Sequence, residues 1–553
     1  MASRFARKTC RAFRAGRCIT AFCIGVTIAS AATPQKISSD LKNRSRPGDV
    51  DVIVQYKVTP TRFHHQRIAR LGGRLHSTMD LVGAAHYSIA ASALDELAAD
   101  PDVLYVTPNR PVYPMMDIPA QSVNAAAAAT AGYDGTGIGV AIVDSGMADI
   151  PDFHSKNTRI VYQASFIGGS PVDQWGHGTH VAGLIGSNGN GTVYTGIVPD
   201  VNLINLRALD QNGNGTDASV IAAINSAIAL KNTYNIRVIN LSLGRPVFEP
   251  AAVDPLCQAV EKAWKAGIVV VVAAGNDGRD NSAGTNGYGT ITAPGNDPYV
   301  ITVGAMKDMG TATRTDDLIA SYSSKGPTGF DHFVKPDILA PGNRVVSTMN
   351  AGIGLLQQYP QNKVANDEYI LSGTSMATPI VSGAAVVVLQ KNPSMTPDQV
   401  KARLMKTASK TFPASSVAVD PTTHIAYTSY YDIFTVGAGY LDIAAALSSS
   451  DLAAGSALSP TAIYDPATGQ VTVQNTPASG ATAVWGSTAV WGSTAVWGSS
   501  VWVSGSTAVW GSTAVWGSTA VWGSTAVWGS TALFGSSTSD SSESLSVAIN
   551  GEN

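Results

Sequence analysis

Val140-Ala141-Ile142-Val143-Asp144-Ser145-Gly146 is an apolar run closed by an acid and a turn dipeptide, and two other stretches complete what it begins. They are Gly176-His177-Gly178-Thr179-His180-Val181-Ala182-Gly183 and Gly373-Thr374-Ser375-Met376-Ala377-Thr378-Pro379. Taken singly, each key residue has an ordinary reading: Asp144 a strand-end turn residue, His177 a hydrogen-bonded loop histidine, Ser375 a helix cap. Taken together they supply an acid, a base and a hydroxyl in the order Asp, His, Ser. A serine hydroxyl is a weak nucleophile near neutral pH. It needs an imidazole to accept its proton and a carboxylate to hold that imidazole in the correct tautomer. Asp144, His177 and Ser375 are candidates for those roles.

Outward from these stretches, apolar strand-like runs at Val201–Leu206, Val238–Leu243, Val269–Ala274 and Val300–Val303 alternate with helical patterns at Ala218–Leu230 and Pro255–Ala266. That alternation predicts an α/β domain with a parallel sheet and helices on both faces. Functional groups then fall at the carboxyl ends of strands, where Asp144 and Asn276 stand.

From about Gly135 to Leu447 the chain resembles the subtilisin-like serine proteases, the subtilases, in all three motifs and in their order. The closing segment Gly437-Ala438-Gly439-Tyr440-Leu441-Asp442 is similar too. The resemblance implies that Asn276, in Ala273-Ala274-Gly275-Asn276-Asp277, donates its amide to an oxyanion, with the Ser375 backbone N–H as second donor. It also implies that Ser242-Leu243-Gly244 and Ala273-Ala274-Gly275 form the walls of the specificity cleft, with Thr292 at its far end. Many relatives carry a smaller residue where Thr292 falls, which implies a shallower pocket suited to medium apolar side chains. No acidic pair appears in these segments, which argues against strict recognition of basic residues. No cofactor is required for the chemistry. The resemblance suggests a structural calcium on Asp152 and Asn190, although Ser187–Val193 departs from the family's loop by extra glycines.

The region before the motifs reads as a small α+β domain: strands at Asp51–Tyr56, Tyr87–Ala90 and Val103–Val106, helices at Pro60–Leu71 and Ser92–Ala99 with Ser92 as cap. It resembles the inhibitory propeptide of subtilases, an intramolecular partner that blocks the cleft until cleaved. Its histidines, His64, His65, His76 and His86, show no paired spacing and read as surface residues. Pro108–Ala131, rich in Pro and Ala, suits the junction between the two domains.

Residues 1–31 carry a basic stretch (Arg4, Arg7, Lys8, Arg11, Arg14, Arg17), an apolar stretch near Ile19–Ile28 and the small-residue site Ala29-Ser30-Ala31, the pattern of a secretory signal peptide. Its apolar part is shorter than the ~20 residues that span a bilayer. Without those six cations the formal charge moves from -3 to about -9, which argues against nucleic acid as the main partner. Cys10, Cys18 and Cys23 lie in the same leader, so Cys257 alone would remain and no internal disulfide could form.

Residues 411–553 contain no Lys or Arg. Within them the hexapeptide Ser487-Thr488-Ala489-Val490-Trp491-Gly492 recurs around Trp485, Trp497, Trp510, Trp516, Trp522 and Trp528, slips at Trp502, and ends on Phe534 in place of Trp. An even period would line the tryptophans on one face of an extended chain. A stacked β array and a solvated low-complexity tail both fit, and so many tryptophans imply packing, cell-surface contact or self-assembly. The expected divisions are residues 1–31 signal peptide, 32–116 propeptide, 117–450 peptidase, 451–480 linker, 481–535 repeats and 536–553 an acidic, Ser-rich disordered tail. The expected function is a secreted, self-processing serine endopeptidase acting on polypeptides. A surface adhesion or assembly protein, working through the repeats, is the alternative.

Overall fold

The computed structural model describes residues 36–37, 41, 48–79, 83–108, 117–192, 194–282, 284–350, 354–365, 367–420, 423–465, 470–474 and 547–552. The leader and the tryptophan repeats lie outside the described residues. The chain divides into two compact units, Met1–Val112 and Tyr113–Asn553.

The first unit has strands β1 (Asp49–Tyr56), β2 (Arg74–Met79), β3 (Ala84–Ala90) and β4 (Val103–Pro108), with helices α1 (Arg62–Arg70) and α2 (Leu94–Ala98). The sheet is antiparallel in the order β2-β3-β1-β4. Alternation works as period 2 requires: Val52 and Val54 of β1 and Tyr87 and Ile89 of β3 are fully buried, and Ile68 of α1 packs with them. Ser92 falls within a 3-10 turn, Ala91–Ala93, and caps nothing. Strand β2 has no apolar alternation to reveal it, since five of its six residues are exposed.

The second unit is built on an eight-stranded sheet. Its order is β11-β10-β9-β8-β5-β7-β6, from β5 (Gly139–Asp144), β6 (Ile160–Ser165), β7 (Asn202–Arg207), β8 (Ile236–Leu241), β9 (Val269–Ala273), β10 (Ile301–Lys307) and β11 (Leu318–Ile319), while β12 (Ile338–Pro341) also pairs with β10. All these pairs are parallel except β10 with β11. Strands covered on both faces need apolar residues at every position, and the Val269–Ala273 run is buried throughout. From β5 the chain goes to the edge strand β6, returns to β7 beside β5, then crosses to β8 on the other side, so β5 is the switch strand.

Helices α3 (Asp117–Ser122) and α4 (Ala126–Thr130) occupy part of the stretch expected as a junction. They are followed by α5 (His177–Gly186), α6 (Asp217–Tyr234) and α7 (Pro255–Lys265). Helix α6 begins in a capping box between Thr216 and Ser219, and α7 on the carboxylate of Asp254 with Pro255 at its first turn. Strands β13 (Val345–Thr348), β14 (Lys363–Ala365) and β15 (Glu368–Leu371) form a small antiparallel sheet, with α8 (Gly354–Gln358) between β13 and β14. Two longer helices follow, α9 (Thr374–Lys391) and α10 (Pro397–Thr407).

Parts of two stretches expected as loose chain are packed structure. Residues 451–480, expected as a linker, carry an antiparallel hairpin, Thr461–Asp465 with Gln470–Gln474, and bury Ala457, Ser459 and Ala462 completely. Residues 547–552, in the tail expected to be disordered, bury Val547, Ile549 and Glu552. Low charge and abundant Ser and Gly hid both, because a few well-placed apolar residues suffice when the rest of the core is supplied by sequence far away. Cys257 is buried with a free thiol. Among the described residues, no helix is long and apolar enough to cross a membrane.

Candidate active site

Asp144 ends β5 and is buried at 1% exposure. Its Oδ1 accepts the Ser145 N–H at 2.7 Å and lies 2.8 Å from His177 Nδ1. The close approach has a backbone cause. A Cβ on Gly178 would meet the Gly146 carbonyl at 2.2 Å, so the turn after β5 and the first turn of α5 touch main chain to main chain. Gly176, at φ 110°, turns the chain into α5 so that His177 is the first helical residue.

That helix start has no cap of its own side chain, and Asp173 supplies one from upstream. Its Oδ1 accepts the Trp175 and Gly176 N–H groups and the Ser145 hydroxyl, and its Oδ2 accepts the Thr179 N–H and hydroxyl. One buried carboxylate thus fixes both the loop bearing Asp144 and the helix bearing His177. Sequence reading passed over Asp173. The signal was an acid four residues before a histidine that opens a helix, where unpaired N–H groups cluster.

Burial opposes charge on His177, but the adjacent Asp144 carboxylate and its hydrogen bond outweigh it and, with Asp173, hold the imidazole above its ordinary 6.5. One turn on, His180 is the opposite case. Fully buried, with Nε2 2.9 Å from the Tyr369 carbonyl, it is pushed down to about 3 by desolvation and stays neutral, tying α5 to β15.

Ser375 is the second residue of α9, after Gly373 at φ 139°. Pro379 stands four residues further on and has no N–H to give the Ser375 carbonyl. Ser242 fills that vacancy. Its hydroxyl donates to the Ser375 carbonyl at 2.8 Å, and the Ser375 hydroxyl donates to the Ser242 carbonyl at 3.2 Å. The proline of the third motif and the serine of the cleft wall are therefore two parts of one device. In this state the Ser375 hydroxyl rests on Ser242; action as a nucleophile would require it to swing toward His177.

Asn276 lies beyond the end of β9. Its Oδ1 accepts the Thr374 N–H at 2.9 Å and the Thr374 hydroxyl at 3.1 Å. With the amide oxygen occupied, the Nδ2 hydrogens are the end without a hydrogen-bond partner among the described residues. A Cβ on Gly373 would stand 3.2 Å from that Nδ2, so glycine keeps the approach open. Thr374 spends its N–H on Asn276, and the Ser375 N–H, early in the helix, has no intrahelical acceptor.

The cleft walls also meet. Thr292 donates its N–H and its hydroxyl to the Ala274 carbonyl at 3.0 and 3.2 Å. A Cβ at Gly244 would meet Thr292 Oγ1 at 2.5 Å, and one at Gly275 would meet its Cγ2 at 2.8 Å. Thr292 is wedged between the two walls, with Ala273 and Ala274 buried and Leu243 partly exposed.

The donors at Asp152 fit calcium poorly. Its Oδ1 already accepts the Ser187 and Thr192 hydroxyls, both at 2.7 Å, and a Cβ at Gly191 would lie 2.5 Å from its Oδ2. Asn190 is exposed and turns an amide N–H, not an oxygen, toward the Pro151 carbonyl. Elsewhere, Asp51, His76 and His86 bring ligand atoms within 4.8 Å of one another. They come from three adjacent strands, with His76 at a register shift in β2, which is why spacing along the chain gave no hint of the cluster.

The carboxylate ending the switch strand of a mostly parallel sheet, the imidazole it holds at the start of α5, the serine near the start of α9 and the amide beside it are the groups that an α/β serine endopeptidase requires. The chain belongs to the subtilase family, whose model matches residues 135–427. It is similar to Serine protease AprX of Bacillus subtilis (strain 168), 38% identical over 342 residues, covering 59% of this chain and 74% of that protein. Subtilisin DY of Bacillus licheniformis is 37% identical over 280 residues, 50% of this chain and 85% of its own. Subtilisin E of Bacillus subtilis (strain 168) is 34% identical over 348 residues, 62% and 79% respectively.

Proposed function

We propose that Asp144, His177 and Ser375 form the catalytic triad and that this subtilase is a secreted endopeptidase made as a self-processing zymogen. The observation that carries the triad is the 2.8 Å contact between His177 Nδ1 and Asp144 Oδ1, which fixes the tautomer whose Nε2 is free to act as base. His177 takes the Ser375 proton as Oγ attacks the substrate carbonyl. The oxyanion forms between Asn276 Nδ2 and the Ser375 N–H. His177 then returns the proton to the leaving amine as the C–N bond breaks, leaving an acyl-enzyme that water hydrolyses through the same base. The substrate strand lies between Ser242-Leu243-Gly244 and Ala273-Ala274-Gly275, and Thr292 limits the depth of the pocket.

The first unit is the intramolecular inhibitor, a reading supported by its strand content and its position before the peptidase. Secretion rests on the leader pattern. The test is to express the precursor beside its Ser375→Ala version and compare intact masses and N-terminal sequences. Loss of residues up to a point within Pro108–Ala131 in the wild type alone is the expected result. Identical maturation of both would assign the cut to another protease, and no maturation of either despite folding would remove the zymogen reading.

A further inference from the structure

Val547–Glu552 lies beyond the repeats in sequence, yet it is held on the peptidase unit by a set of buried contacts that a loose tail has no use for. Val547 and Ile549, at 4% and 6% exposure, join the main apolar core. Ser372 N–H donates to the Ala548 carbonyl at 2.9 Å, and Asn362 gives its Nδ2 hydrogens to the Ile549 and Ile370 carbonyls. Asn343 engages both main-chain groups of Glu552: its Oδ1 accepts the Glu552 N–H at 2.7 Å and its Nδ2 donates to the Glu552 carbonyl at 2.9 Å. Gly551, at φ 61°, is pressed so close that a Cβ would stand 2.5 Å from Ser372 Oγ.

The Glu552 side chain enters a pocket made for a carboxylate. It is 3% exposed, and its Oε1 accepts Arg279 Nη2 at 2.7 Å, the Ser321 N–H at 2.9 Å and the Ser321 hydroxyl. Lys307 Nζ stands 3.9 Å from Oε2. Arg279 is itself fixed, by Asp420 at 2.9 Å, by the Ser321 hydroxyl at 2.8 Å and by the Tyr427 ring below it at 5.0 Å. A charge this deep is tolerated only when paired and hydrogen-bonded; here Arg279 pairs it and Oε1 carries the hydrogen bonds, while Oε2 has no hydrogen-bond partner among the described residues.

Two of the anchoring residues stand next to catalytic turns. Arg279 follows Asn276 by three residues, and Ser372 precedes Ser375 by three. The same segment thus ties the turn presenting the oxyanion amide to the turn presenting the nucleophile.

We propose that Arg279, Ser321, Asn343, Asn362 and Ser372 form a peptide-recognition site separate from the substrate cleft, that its ligand is the chain's own Val547–Glu552, an apolar turn ending in a buried glutamate, and that its occupancy positions Asn276 and Ser375. The positioning half rests on the roles assigned above to those two residues; the recognition half does not.

The experiment uses the full Ser375→Ala chain with a specific cleavage sequence placed within residues 536–546. After cutting, the fragment carrying Val547–Glu552 co-elutes with the protein in gel filtration, and a labelled synthetic peptide of residues 544–553 exchanges into the site. The Glu552→Gln fragment is released, and the corresponding Gln peptide binds at least about tenfold more weakly, as expected on losing charge from a buried ion pair. Immediate loss of the wild-type fragment, with no peptide uptake by calorimetry, overturns the site. The active chain then tests positioning. Cut Glu552→Gln enzyme, freed of its fragment, should show kcat lowered by about three- to tenfold with KM within about twofold, and added wild-type peptide should restore kcat. Peptide binding that leaves kcat unmoved overturns positioning while leaving the site standing. Because binding is read on the Ser375→Ala protein, failure of the triad assignment is seen separately.

Discussion

Two buried carboxylates, 1% and 0% exposed, stand at opposite purposes in this molecule. Asp337, just before β12, has every oxygen taken: Oδ2 by Lys335 Nζ at 2.6 Å and the Thr302 N–H at 2.8 Å, Oδ1 by the Ser459 hydroxyl at 2.6 Å and Lys401 Nζ at 3.2 Å. Asp144 gives Oδ1 to His177 and to one N–H, while Oδ2 has no hydrogen-bond partner among the described residues. A saturated acid holds structure and has nothing left to gain from a moving proton. An under-satisfied one gains most when the imidazole beside it becomes charged, which is the moment a triad acid must stabilise. The burial is alike, and the difference lies in how completely the charge is answered.

The largest effect expected from this contrast is at Asp144. Asp144→Asn should lower kcat by about 10⁴ while the fold is kept, because the amide no longer selects the tautomer that leaves Nε2 free. The pH profile sharpens the point. His177 is held above 6.5 in the intact site, so the acid limb of kcat/KM should lie above that value, with activity lost as pH falls through it and the base becomes protonated. Without the Asp144 charge, burial is opposed only by Asp173, and the limb should move to lower pH. A limb that stays in place would mean that Asp144 does not set the charge of His177.

At Asp337 the same change should leave kcat per folded molecule alone and remove about 3–5 kcal/mol of stability, the cost of stranding a buried partner charge. Here two lysines are stranded, Lys335 and Lys401, both 0% exposed. Guanidinium unfolding in the Ser375→Ala background, which prevents self-digestion, reads the loss. Unchanged stability with reduced activity in Asp337→Asn would reverse the comparison.

How far the sequence carried this picture depends on how local each feature is. The strand runs around β7, β8, β9 and β10 were legible because burial on both faces forces continuous apolar stretches, and β5 announced itself by ending on Asp144. Asn276 and the cleft walls came from resemblance and not from any pattern along the chain. Asp173 was passed over because its partners, Ser145 and Thr179, are brought to it by the fold. The meeting of Asp51, His76 and His86 depends on strand register, and the docking of Glu552 on an arginine and a serine more than two hundred positions away, which no window along the chain can display. Propensity misread 451–480 and 547–552 for the same reason: their order is imposed by distant partners.

The smallest expected effect is also the most discriminating about how the nucleophile is held. If Pro379 leaves the Ser375 carbonyl without a helical donor and Ser242 replaces it, Ser242→Ala strands that carbonyl and the Asn240 amide that donates to the same hydroxyl at 3.0 Å. The cost should be about 1–3 kcal/mol in stability, the usual penalty for an unsatisfied buried polar group, with a drop of a few fold in kcat. Pro379→Ala should partly undo it, because an alanine N–H at that position can donate to Ser375 in the ordinary helical way. The two changes made together should therefore cost less than the sum of each made alone, a coupling readable by a double-mutant cycle on unfolding free energy. Strict additivity would show that the proline and the serine act independently. A coupled result would mean that Ser242 makes up the hydrogen bond that Pro379 withholds within α9, tying the backbone of Ser375 to the neighbouring strand end.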